Sequence, residues 1–229
     1  MKGICVFGDS VAKGVVFDEA RQRYTNLKEN FISLTEERIH IPFKNFSVFG
    51  ATISKGEQMM ARRSDSLGSY EYSILEFGGN DCDLNWKEIS ESPSSDHPAK
   101  TPLDKYESTY REMIQASLSR GLKPILLTLP PLDPERFFQW VSRGLDRDKI
   151  YSYIGGDVNN IYRWHKEYND IVLSLGREYG LPVIDIRSAL ESQGDYSRFL
   201  CADGMHPNAE GHRLIADCLA SSLGSLQIA

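Results

Sequence analysis

The chain has 229 residues, enough for a single α/β domain over 1–229 whose core needs neither disulfides nor a structural metal. Hydrophobic residues make up 41% and charged residues 25%, an ordinary globular balance, and the net charge of -6 argues against a nucleic-acid partner. No apolar run approaches the roughly 20 residues that span a bilayer, and the start, MKGICVFGDS, is too short in apolar residues for a signal peptide, so stable membrane insertion is not expected.

In chain order, residues 3–7 (GICVF) form a short apolar run ended by Gly8, as expected of a buried parallel strand. Residues 27–39 carry Phe31, Leu34 and Ile39 among charges and predict a helix. Residues 46–49 predict a second strand ended by Gly50, and 54–63 a second helix finishing at Arg62 and Arg63, read as a solvated helix end. Residues 72–77 (YSILEF) predict a third strand, stopped by Gly78 and Gly79. The polar stretch 82–103 reads as a long loop, with His97 as a loop residue. Residues 104–120 place Tyr106, Tyr110, Met113, Ile114 and Leu118 at helical spacing, and Gly121 supplies a stop. Residues 124–129 (PILLTL) predict a fourth strand, and 130–160 a second irregular insertion with a short helix near 134–140. A long helix over 161–179, a fifth strand over 182–186 and a closing helix over 208–223 complete the pattern, with His165 and His212 as surface or packing residues on their helices. Strands alternating with helices predict a doubly wound parallel sheet, whose sites form at the carboxyl ends of strands.

The chemistry-bearing residues fall at those ends. Ser10, in Gly8-Asp9-Ser10, follows the first strand, though such residues also make ordinary turns. A serine hydroxyl needs a base to become a nucleophile. Of the five histidines, His206 lies three residues after Asp203, so the carboxylate can orient the imidazole for Ser10; a turn and helix cap is the competing reading. Gly78-Gly79-Asn80-Asp81 allows a close backbone approach and offers the Asn80 amide to a developing oxyanion, and Gly50 can add a backbone N–H; both also suit plain turns.

Taken together, and in this order, these blocks resemble the SGNH hydrolases, also called the GDSL esterase/lipase family. Val11 stands where the family usually has leucine, and Val48-Phe49-Gly50 lacks the asparagine often found before the glycine. The resemblance implies a flavodoxin-like three-layer α/β/α sandwich with a five-stranded, mostly parallel sheet. It implies Ser10 as nucleophile, His206 as general base and acid, and Asp203 as orienting carboxylate. The oxyanion hole it implies is built from the Ser10 and Gly50 backbone N–H groups with the Asn80 side chain, and no metal or cofactor is required.

The expected reaction is hydrolysis of small carboxylic esters through an acyl-enzyme, with a carbohydrate O-deacetylase as the leading specific reading. Lysophospholipase, thioesterase and acyltransferase activities use the same residues. A non-catalytic flavodoxin-like binding module is the rival of another class, although GDSVAKG lacks a P-loop pattern. Trp86 and Trp140 lie in the two insertions and are the candidate substrate-binding aromatics. The expected partner is a small ester, with self-association left open. The four cysteines, none in a C-x-x-C pair, suit no zinc site and read as reduced thiols of a cytoplasmic protein.

Overall fold

A computed structural model describes residues 2–226. Its main sheet has five strands: β1 (Gly3–Gly8), β4 (Phe43–Asn45), β5 (Tyr70–Glu76), β6 (Lys123–Leu127) and β7 (Val183–Ile184). They pair in the order β4-β1-β5-β6-β7, all parallel, with Val6 opposite Asn45 and Ile74. With β1 first among these strands, this is the flavodoxin-like order, and its switch point lies where β1 stands between β4 and β5.

The strands are apolar on both sides, so alternate residues feed two cores. Ile4, Val6, Ile74, Ile125 and Leu127 pack under α2 (Phe31–Ile39), α10 (Ile186–Glu191) and α11 (Ala209–Ser225). Cys5, Phe7, Leu75, Phe77 and Leu126 pack under α3 (Ile53–Ala61), α6 (Leu103–Leu118) and α9 (Asn159–Tyr179). The three-layer expectation is met.

The expected strand at 46–49 is displaced: the paired segment is β4, and 46–49 run beyond it as extended loop. Asn45 causes the break, because its side chain turns back to accept from Ser47 N (2.9 Å) and to donate to Ala12 O (2.6 Å). Phe46 N and Val48 N still donate to Val6 O and Gly8 O, so the loop stays alongside the end of β1. The fifth strand is also shorter than expected, since Asp185 caps α10 instead of extending β7.

The two insertions are more ordered than their composition indicates. Residues 82–103 hold α5 (Trp86–Glu91), and 130–160 hold α7 (Pro134–Val141) and α8 (Arg147–Tyr153). Each is started by an Asx residue, Asn85, Asp133 or Asp146, that accepts from a backbone N–H in the first turn. Together with the start of α9 they build a third apolar cluster around Trp86, Phe137, Phe138 and Ile150. An antiparallel hairpin, β2 (Val15–Asp18) and β3 (Arg23–Asn26), follows the short α1 (Ser10–Lys13). The short α4 (Ser64–Leu67) leads into β5. No helix among the described residues is long and apolar enough to cross a membrane.

Candidate active site

The three chemistry-bearing segments converge at the carboxyl edge of the sheet. Ser10 opens α1 directly after β1, capped by Asp9, whose Oδ1 accepts from Val11 N at 2.8 Å. His206 and Asp203 sit in the turn before α11. That turn is pinned by Gly204, at φ +71°, where any Cβ would meet Phe137 N and Asp133 O within 2.8 Å. Only glycine satisfies both the left-handed backbone and the close packing.

His206 Nε2 lies 2.9 Å from Ser10 Oγ, and its Nδ1 lies 2.6 Å from Asp203 Oδ2. A carboxylate can only accept, so Nδ1 carries the proton and Nε2 is left to accept from the Ser10 hydroxyl. All three groups are buried. Asp203 Oδ1 accepts from the N–H groups of Met205 (2.9 Å) and His206 (3.0 Å), and Oδ2 also accepts from the Tyr24 hydroxyl (3.1 Å). Burial works to raise the Asp203 pKa, but the His206 hydrogen bond and charge, with these N–H donors, outweigh it and hold the carboxyl below its ordinary value.

Asn80 follows β5, and its Nδ2 donates to Asp9 Oδ2 at 3.1 Å. That bond orients the amide toward the serine turn and leaves its second N–H available. The Ser10 and Gly50 backbone N–H groups make no hydrogen bond among the described residues. Gly50 has φ +73° on the loop beside β1, with open space around it. Asp81 accepts from Ile53 N through both oxygens (3.0 and 3.1 Å), tying the Gly-Gly-Asn-Asp turn to the start of α3 just beyond Gly50. Burial pushes the Asp81 carboxyl up to about 6.

Beneath the serine turn lies Glu76, whose Oε2 accepts from Asp9 N (3.3 Å) and Ala12 N (3.2 Å). Burial first, then the charge of Asp9, push Glu76 well above the usual carboxylate range. Neither Glu76 nor Tyr24 stands out in the sequence. What signal there was for Tyr24 lay in two short runs of β-formers, Val15 to Phe17 and Tyr24 to Thr25, on either side of a polar stretch, as in a hairpin.

Trp140 and Trp86 part company. Trp140 joins an aromatic wall at the site, its ring 4.6 Å from Phe17 and 6.2 Å from Tyr24. Tyr24 in turn packs 5.2 Å from His206 and 5.4 Å from Phe49. Trp86 is not a rim residue: it is buried against Phe137, with its indole N–H on Asp83 Oδ1 at 2.8 Å, because α5 turns its apolar face into the third cluster. His165 and His212 are both buried packing residues and not surface ones. Among the described residues no group of three or more His, Cys, Asp or Glu is placed to hold a metal ion.

A family model described as the GDSL-like Lipase/Acylhydrolase family matches residues 6–214. The chain is 27% identical over 144 residues to a mouse (Mus musculus) protein named isoamyl acetate-hydrolyzing esterase 1 homolog, covering 61% of this chain and 50% of that protein. It spans about half the length of the curated relatives it matches. Its fold is similar to that of a lipase/acylhydrolase from Enterococcus faecalis (TM-score 0.69, 21% identity, 99% of this chain and 97% of that one). It is similar too to an acetylxylan esterase from Geobacillus stearothermophilus (TM-score 0.67, 16% identity, 97% of this chain and 94% of that one).

Proposed function

The chain belongs to the GDSL-like lipase/acylhydrolase family, and on that premise we propose that it hydrolyses small carboxylic esters through an acyl-enzyme on Ser10. The observation that carries the reading is the chain of contacts from Ser10 Oγ to His206 Nε2 (2.9 Å) and from His206 Nδ1 to Asp203 (2.6 Å). His206 takes the Ser10 proton as Oγ bonds to the acyl carbon, while Asp203 holds the imidazolium that forms. The oxyanion is met by the free N–H groups of Ser10 and Gly50 and by the Asn80 amide. As the tetrahedral adduct collapses, the bond to the alcohol oxygen breaks and His206 returns the proton to it. Water then repeats the sequence on the acyl-enzyme and frees the acid.

The acyl group we favour is acetyl or one of similar size, and the alcohol half a sugar. The open aromatic wall of Tyr24, Phe49 and Trp140 supports this, since sugar rings stack on aromatic faces. So does the likeness to proteins whose names carry acetate or acetylxylan hydrolysis. The test is a panel of aryl esters of increasing chain length beside acetylated sugars, run with Ser10→Ala. Turnover and fluorophosphonate labelling are expected in the parent and absent in the variant; an undiminished rate in Ser10→Ala would remove this nucleophile. Competing alcohols in the same assay separate hydrolysis from acyl transfer.

A further inference from the structure

One buried polar group at the site has no part in the reaction above. His165, on α9, is 4% exposed and lines a small pocket of about 10 Å³ that it shares with Ser10 and Asn80. That is room for one water-sized group. Leu129, Pro130 and Met205 line it as well. The imidazole is fixed from behind by Arg187, itself 3% exposed, whose Nη1 donates to His165 Nδ1 at 3.1 Å. A guanidinium has donors only, so Nδ1 is the acceptor and the ring proton sits on Nε2. Burial, then the Arg187 charge, push His165 down to about 3, which keeps the ring neutral. Arg187 is anchored in turn by Glu191, 3.0 Å from its Nε, and by the Tyr162 ring, 4.6 Å below the guanidinium. His165 Nε2–H has no partner among the described residues. With Nδ1 turned to Arg187, it is the edge of the ring left to face the cavity.

The two halves of an ester sort themselves by chemistry. His206 must return its proton to the leaving alcohol, so that half lies on the His206 side. There the Tyr24 and Phe49 rings flank an open groove of about 250 Å³. The small pocket beside Ser10 and Asn80 is left for the end of a short acyl half. Resting on the esterase reading, we infer that His165 is a specificity-determining residue that donates Nε2–H to an oxygen on the second carbon of a two-carbon acyl group. The favoured substrates are then esters of hydroxyacetic acid and its close 2-oxy relatives. A hydroxyl there that accepts from His165 keeps its own proton for Asp9 or Glu76, whose carboxyls line the same cavity.

The test compares kcat/KM for aryl hydroxyacetate and aryl propionate, which share a chain length, each divided by its rate of alkaline hydrolysis to remove intrinsic reactivity. The parent enzyme is expected to prefer the hydroxyacetate by about tenfold, the discrimination one well-placed hydrogen bond gives. His165→Gln keeps that ratio, because one amide can accept from Arg187 and donate into the cavity. The pair His165→Leu with Arg187→Met, which strands no buried cation, brings the ratio to about one. A parent enzyme with no normalised preference overturns the assignment without recourse to any variant, as does a folded double variant in which both esters fall together. Fluorophosphonate labelling keeps the two readings apart. A parent chain that is unlabelled and inert on every ester overturns the esterase reading itself, whereas a labelled, active chain indifferent to the 2-oxygen overturns only the role of His165.

Discussion

Asp203 accepts four hydrogen bonds, and the one from Tyr24 (3.1 Å) ties the Asp203–His206 turn to a hairpin 179 residues away in sequence. The three other donors come from within two or three residues, so local sequence alone sets them. Tyr24 adds what local sequence cannot: it donates to the same Oδ2 as His206 and packs its ring on the imidazole at 5.2 Å. Because burial disfavours the Asp203 charge, each donor helps keep the carboxylate ionised. Tyr24→Phe removes one donor and leaves the ring in place. We expect kcat/KM on a small aryl ester to fall about 3–10-fold, with most of the loss in kcat, the scale of one typical hydrogen bond, since three donors to Asp203 remain. A loss confined to KM would place the hydroxyl on substrate instead of on Asp203.

At the scale of elements, the site depends on α11 being held in place behind its turn, and His212 is one of the fasteners. It is fully buried on α11, stacks on Phe31 at 5.7 Å, and its Nδ1 accepts from Phe31 N at 3.3 Å, at the start of α2. An N–H donor requires the unprotonated nitrogen, and burial, then the charge of His206, lower the His212 pKa from 6.5 to about 4. The unfolded chain therefore binds this proton more readily than the folded one. The stabilisation is complete above pH 6.5 and is lost as the pH falls toward 4. The gap of 6.5 to about 4 corresponds to roughly 3 kcal/mol. His212→Asn keeps an acceptor for Phe31 N but does not titrate. Denaturant melts at stepped pH should show the parent losing about 3 kcal/mol more than the variant between pH 6.5 and 4. Parallel pH curves for the two would mean that His212 takes up its proton as readily in the folded chain as in the unfolded one.

Across the whole molecule, legibility followed contact range. The strand ends carrying Ser10, Asn80 and the Asp203–His206 turn were readable because a parallel sheet brings its carboxyl ends together whatever the intervening loops do. The third apolar cluster was not, because the charged and polar residues of 82–103 and 130–160 mask Trp86, Phe137 and Ile150, whose burial is decided by packing between helices far apart in sequence. Nor was the aromatic wall, which draws Phe17 and Tyr24 from the hairpin, Phe49 from the loop after β4, and Trp140 from α7. Within it Phe49 is the outlier: it is 50% exposed although its ring lies 6.3 Å from His206. A large apolar side chain left half in water beside the buried Ser10, His206 and Asp203 is the part of the wall free to meet a ligand. Trp140, packed between Phe17 and the Arg143 guanidinium (3.9 Å), supports it from the flank. Phe49→Ala is therefore expected to raise KM about 5–10-fold for aryl or sugar esters, the range of one aromatic contact. Methyl and ethyl esters of the same acid cannot reach the ring and should lose much less. If every ester lost kcat equally, Phe49 would be shaping the loop that carries the Gly50 N–H, and the wall would act on the oxyanion and not on the alcohol.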